Sequence, residues 1–558
     1  MARAYLRITP LFLVSLLSPM VSYGQSKPVQ DWLTWGYDPE RTGWNKGETI
    51  LSKDNVSGLE LKWSAQLSTP PNEVVLSTLT APLVVEGVST PQGSKSLVFI
   101  VGSDDTVFAI DVDTGKIFWQ KSFPSKLASR QTATWLCSNS QNATPVIDKQ
   151  KAIIYLNTSD GKLRGLGLSD GEDRIPPTDF VTPYARNWSL NLIDDVVYSP
   201  SSRGCGGAMA SIAAMDVSDS MHPQLSRSYT SGGRPSGAWG RGGVVRGPKG
   251  IYIQTADGLA DPASGNYGET VLAVTLKEMR VVDSFTPSNW RYLNSRDLEL
   301  GAASPVIFPF QRWTLLATAA KEGVIYLLNA NALGGGPPEH SKAFYQSGLW
   351  GNDEELMGGR GVWGAPATYE SPQGERFVYV PMWGPPSKNA PQFKYSYDAA
   401  PHGSVMAFRV SAEGESPSLT PEWISRDMYS PDPPVVANGV VYAIQTGEQT
   451  IQNPDRPGGD KFGPSQFAPN GGIVQGGLPQ VGPRAGGPPA GPLRAAKFRA
   501  TPVSNLVLYV FDAQTGKQLY SSEKIVTNWV HFSEPVVALG KVFIVTWDAH
   551  VYAFGLKE

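Results

Sequence analysis

The side chains that most often carry chemistry are scarce in this sequence. Its 558 residues include five histidines and two cysteines. No Gly-x-Ser-x-Gly elbow, P-loop or His-Glu-x-x-His helix is present, so serine hydrolysis, phosphate cradling and zincin-type proteolysis lack their local signatures. Acidic residues are plentiful, but the conspicuous ones, in "SDD" (103–105) and "TSDG" (158–161), read as turn residues. Cys137 and Cys205 lie too far apart for spacing to decide whether they pair. There is no Cys-x-x-Cys-His, so no covalent haem is built in. Any site must therefore be assembled from distant segments, and the question becomes which elements bring them together.

Composition narrows those elements. The chain is 41% hydrophobic and 17% charged, with 58 Gly, 46 Pro and 16 Trp. Many turn formers beside many aromatic residues point to an all-β protein with a large core. The net charge of -3 offers no basic field for nucleic acid and no acidity of the kind that keeps a chain unfolded. At the N-terminus, Arg3 and Arg7 precede an apolar stretch from Ile8 to Val21, and small residues follow up to Gln25. This predicts a secretory signal peptide over residues 1–24 and an exported, periplasmic or secreted protein. Pro10 and Pro19 bracket an apolar run too short to span a bilayer, and no cysteine follows it to take a lipid. No membrane span is expected elsewhere.

One phrase recurs along the chain. "VFAIDVDTGKIFWQ" (107–120) returns as "LYVFDAQTGKQLYS" (508–521). Related phrases start near residues 80, 143, 191, 243, 303, 364, 434 and 534, which makes eight units. Each reads as strand, link, strand, turn, strand, turn, strand. One such four-stranded sheet cannot bury both faces, whereas a radial arrangement buries them and leaves only short edges. The last unit ends at "VYAFGLKE", one strand short, and "LELKWSAQL" (59–67) precedes the first unit with Trp63 where "GKIFW" places Trp119. The expected fold is an eight-bladed β-propeller of four-stranded antiparallel blades, closed by an N-terminal strand and forming one domain over 25–558. Trp63, Trp119 and Tyr520 are expected to pack between blades. From Pro454 to Leu493, 20 of 40 residues are Gly or Pro, which predicts a loosely ordered insertion in the seventh unit.

The eight units, "AIDVDTGKIFW", and the N-terminal "DWLTWGYDPERTGWNKGE" (31–48) resemble the quinoprotein propellers, that is, the pyrroloquinoline quinone (PQQ) dehydrogenases and their relatives. The resemblance covers nearly all of the chain after the signal peptide. It implies PQQ and Ca2+, or another divalent ion, at the mouth of the central channel. Within "SGAWGRGGVVRGPKGIYIQTADG" (236–258) it places Trp239 at the aromatic floor under the cofactor and Asp257 at a metal ligand that is usually Asn. A carboxylate oxygen suits a hard cation equally well. "DLELGAASPVIF" makes Asp297 or Glu299 the catalytic base, and "AAKEGVIYLLN" makes Lys321 the cation that polarises the quinone. Trp239 would also suit blade packing, "ADG" and "KEG" would suit surface turns, and either acid could be solvated.

The family pattern is broken in places. "TWLCSNSQNATP" has one cysteine, Cys137, where two adjacent ones are usual, and Gln141 or Asn142 where an Arg is usual. "SPSSRGCGGAMAS" lacks the Glu metal ligand of the third unit and offers Arg203 to the cofactor and Cys205 instead. In the quinoprotein arrangement Cys137 and Cys205 fall on adjacent blades near the mouth, so they form either a disulfide joining those blades or two buried thiols. Two functions follow from the resemblance. One is a divergent PQQ-dependent oxidoreductase that acts on an alcohol or sugar hydroxyl and passes electrons to a separate acceptor. The other is a binding or scaffold propeller that has lost the cofactor, with Trp135, Trp188, Trp350, Trp363 and Trp383 around its mouth.

Overall fold

The computed structural model of the protein describes residues 1, 30–72, 77–129, 133, 137–140, 143–202, 204–231, 237–296, 298–335, 340–351, 360–450 and 500–557. Both the expected signal peptide and the Gly/Pro-rich insertion lie outside these residues. The recurring phrase folds as an antiparallel meander. In the first unit it comprises Leu83–Thr90, Gly93–Val101, Thr106–Asp111 and Ile117–Ser122, paired in that order. The Thr-Gly-Lys turn is built the same way at both ends of the chain. Asp111 Oδ1 accepts from the Thr114 amide and hydroxyl, and Asp512 Oδ1 does so from Thr515. Gly115 and Gly516 follow at φ of 69° and 71°, a region that favours glycine.

Those glycines have a second role. A Cβ on Gly115 would lie 2.6 Å from the Trp63 ring, and Gly171 and Gly516 bear the same relation to Trp119 and Trp423. Each of these three indoles also donates to a carbonyl of the neighbouring blade, Val112, Leu168 and Ala513 respectively. Tyr520 instead meets Phe554, edge to face, in the last blade. Blades are thus docked by an aromatic ring on a bare glycine, with the indole N–H satisfied.

Eight such sheets form the molecule, mostly four-stranded and antiparallel. The last contains Val536–Ala538, Lys541–Val545 and His550–Leu556, and its outer strand is Leu59–Gln66 from the N-terminal side. Trp63 of that strand is 9% exposed. The largest apolar cluster spans this junction and joins the first, second, seventh and eighth blades. One short α-helix, Trp290–Arg296, occurs among the described residues. No helix among them is long and apolar enough to cross a membrane.

Residues 32–45 make a further closure that the sequence pattern did not reveal. They visit the innermost strands of the blades in order. Trp32 exchanges backbone bonds with Val84, and Leu33 accepts from Ile147. Thr34 and Arg41 donate to Leu190, Pro39 accepts from Arg246, and Glu40 accepts from Ile307. Thr42 then accepts from Thr368, Gly43 accepts from Val436, and Asn45 donates to Val537. The segment satisfies backbone groups that would otherwise face an empty axis.

Candidate active site at the channel mouth

The segments that lead into the innermost strands surround the axis, and there the apolar core gives way to rings and charges. Trp188, Trp239, Trp363, Trp383 and Phe532 form one buried cluster. Trp363 and Trp383 stack at 5.0 Å, and Trp239 meets Trp363 edge to face at 5.6 Å. Close backbone contacts set these positions. Trp383 and Gly361 exchange backbone bonds, and Gly361, at φ 74°, lies where a Cβ would be 2.2 Å from the Lys321 carbonyl. Gly301 accepts from the Trp239 amide, and a Cβ on Gly301 would lie 2.5 Å from the Ala256 nitrogen.

Lys321 projects into this cluster. Its ammonium lies 4.4 Å from the Trp363 ring centre and 4.8 Å from that of Trp239, within cation–π reach of both. It donates to Glu299 Oε2 at 2.7 Å, and both side chains are buried, at 0% and 1% exposure. Lys321 is therefore not on a surface turn, and Glu299 is not a solvated acid.

A third charged side chain stands behind the pair. Glu269, also fully buried, accepts the amide of Leu300 at 2.6 Å, one residue beyond Glu299. Burial, with the Glu299 charge adding to it, holds the Glu269 carboxyl well above the usual carboxylate range, and the Asp257 side chain meets it as well. Asp257 is half-buried. The next residue, Gly258, is fixed by donating its backbone N–H to Asn294 Oδ1 of the short helix. Among the described residues no three Asp, Glu, His or Cys side chains converge as a ready metal cage.

The structure thus gathers four of the residues singled out from the sequence, Trp239, Asp257, Glu299 and Lys321. Asp297 and Arg203 lie outside the described residues, as does Trp135. Trp188, Trp363 and Trp383 belong to the mouth cluster, whereas Trp350 stacks on Phe408 inside a neighbouring blade core. Sequence reading missed Glu269. Its one local signal was an acid placed directly before the apolar run Thr270–Val274 in "YGETVLAV". Cys137 and Cys205 form a disulfide with Cα atoms 5.4 Å apart, joining the segment that enters the second blade to the turn between Val196–Ser202 and Ser211–Asp216 of the third.

Comparison with known proteins agrees on the fold. Residues 60–204 match the family model described as outer membrane protein assembly factor BamB. No curated protein sequence matches the chain. Among solved structures, a europium-containing methanol dehydrogenase superposes with a TM-score of 0.59 at 13% identity, covering 95% of this chain and 98% of that one. The quinohemoprotein alcohol dehydrogenase of Comamonas testosteroni gives 0.56 at 13% identity, covering 95% and 81%. That of Pseudomonas putida HK5 gives 0.55 at 13%, covering 94% and 80%. The chain has the eight-bladed fold of the quinoprotein alcohol dehydrogenases.

Proposed function

We propose that the protein is a divergent quinone-dependent oxidoreductase that removes hydrogen from an alcohol or sugar hydroxyl at the channel mouth. The observation that carries this reading is the buried Glu299–Lys321 pair, whose ammonium lies against the Trp239 and Trp363 indoles. Burying two opposite charges costs several kcal/mol per ion before their attraction repays it, and a propeller axis can be filled with apolar atoms instead. A base, a fixed cation and an aromatic surface kept together despite that cost form a candidate catalytic set.

The donor set suits the reactive edge of a quinone. Trp239 offers a ring to stack on, Lys321 a positive charge toward the carbonyls, and Glu299, or Asp297 two residues before it, a base. Arg203 would add charge toward the cofactor's carboxylates. Asp257, joined by Glu269, would be the donor pair for a divalent ion. Bound PQQ would supply the hydride acceptor. Glu299 takes the hydroxyl proton of the substrate, and Lys321 stabilises negative charge as it develops on oxygen. The surrounding indoles exclude water and strengthen both effects. Electrons leave to a separate acceptor. The export expected from the N-terminus fits this chemistry.

A second reading has its own support. Trp239 is 4% exposed with Lys321 over its ring, and a disulfide cysteine stands where the resemblance expects an acidic ligand. A binding or scaffold propeller would show both features. Dye-linked oxidation of a panel of primary alcohols and aldoses, after incubation with PQQ and Ca2+, separates the two. Turnover that is lost in Glu299→Gln supports the enzyme. No turnover with any substrate under saturating PQQ supports the binding protein.

A further inference from the structure

A second polar centre lies on the axis next to the mouth cluster and takes no part in the proposed reaction. Arg241 is 8% exposed at its side chain, donates to Asp432 Oδ1 at 3.0 Å, and lies over the Phe532 ring at 4.7 Å. Its other terminal nitrogen is 3.6 Å from Glu534 Oε2, too long for a hydrogen bond. Arg241 Nε and Glu534 Oε1 are buried and have no hydrogen-bond partner in the protein. Leaving such atoms dry is costly. These two residues line a chamber of about 20 Å3, together with Trp35 of the N-terminal segment, Trp188, Phe532 and the half-buried Arg186. The hydroxyl residues Thr144 and Ser189 also line it.

We infer that this chamber is a binding site for one neutral hydroxylic guest, an ordered water molecule that accepts from Arg241 and donates to Glu534. Size permits one, because a water needs at least about 10–15 Å3 of such space and two to four polar partners. Arg41 and Arg241 face Asp432 and Glu534 across the axis, and Arg186 lines the same chamber. Hydrogen bonding requires a molecule that both donates and accepts, because the atoms left over are a guanidinium N–H and a carboxyl oxygen. The water lets Arg241 and Glu534 remain apart without being unsatisfied. This inference does not depend on the oxidoreductase reading.

A crystal structure of the full chain, grown without PQQ, tests the inference. The expected result is a single spherical density feature within 3.2 Å of both an Arg241 nitrogen and a Glu534 oxygen. It should persist in Glu534→Gln, which keeps the acceptor, and vanish in Glu534→Leu. A dry chamber, a direct Arg241–Glu534 hydrogen bond closing the gap, or density with the short, multiple oxygen contacts of a metal cation would each overturn it. If Glu534→Leu does not fold, the wild-type and Gln structures still decide.

Discussion

Glu299 and Lys321 carry opposite charges into a place walled by indoles, backbone and the Glu269 carboxyl, and single-residue changes should expose what holds them there. Removing one partner of a buried pair leaves the other uncompensated, so Lys321→Met should cost about 3–5 kcal/mol in chemical denaturation. Replacing both, as Glu299→Leu with Lys321→Met, should recover most of that loss, since an apolar pair of similar volume is often as stable. If the double variant is as unstable as the single one, the pair is structural and the functional reading weakens. Glu299→Gln should lower turnover by at least about 100-fold while leaving cofactor affinity within a few-fold, as expected for a proton-transfer group. A separate set of buried acids gives a pH signature. Burial raises Glu322 and Glu534 to about 7 from an ordinary 4.5, and raises Asp432 to about 6. Their folded pKa values lie above the unfolded ones, so the folded chain binds more protons. The stability they contribute is complete below about pH 4 and is lost as pH rises through 6 to 7. Melting temperature should therefore be higher at pH 5.5 than at pH 8, and Glu322→Gln, whose carbonyl still accepts from Asn289 while its amide donates to the Tyr326 hydroxyl, should flatten that difference. An unchanged slope in this variant would remove Glu322 from the account.

At the scale of elements, closure is the feature with the clearest energetic consequence. Trp63 lies on the strand that completes the last blade, donates to Val112, and rests on Gly115 of the first blade. Trp63→Ala should cost roughly 3–5 kcal/mol. Gly115→Ala should also destabilise, because the added carbon would press into the Trp63 ring at a positive φ. A melting temperature unchanged by both substitutions would mean the ring is not held shut there. Much of this was legible in the sequence, since a strand, a turn and an aromatic recur at each repeat and each follows local rules. The missing last strand and its N-terminal replacement could be matched by one tryptophan. The axial course of residues 32–45 was not legible, because its bonds run from irregular backbone to eight separate strands and leave no periodicity. The site was legible only in part for the same reason. Trp239, Glu299 and Lys321 could be placed by resemblance, but Glu269 and the Arg241–Asp432–Glu534 group meet only after the ring closes.

For the whole molecule, the blades must hold their order around a site built from several of them. The Cys137–Cys205 disulfide ties the second and third blades together across a sequence separation of 68. Replacing both cysteines by alanine should cost roughly 2–5 kcal/mol, and thiol titration of the denatured, unreduced protein should find no free thiol. Two free thiols would contradict the bridge. The chain shares the fold of quinoprotein alcohol dehydrogenases, and a ligand must be argued from the residues at the site, since a fold alone assigns none. The central claim is that this mouth still takes a quinone. Its most direct test is an equilibrium titration of the full chain with PQQ in the presence of Ca2+, followed by tryptophan fluorescence. The account expects saturable quenching at one quinone per chain, lost or weakened at least about tenfold in Trp239→Ala. Quenching that never saturates, or that is the same in wild type and Trp239→Ala, would contradict it.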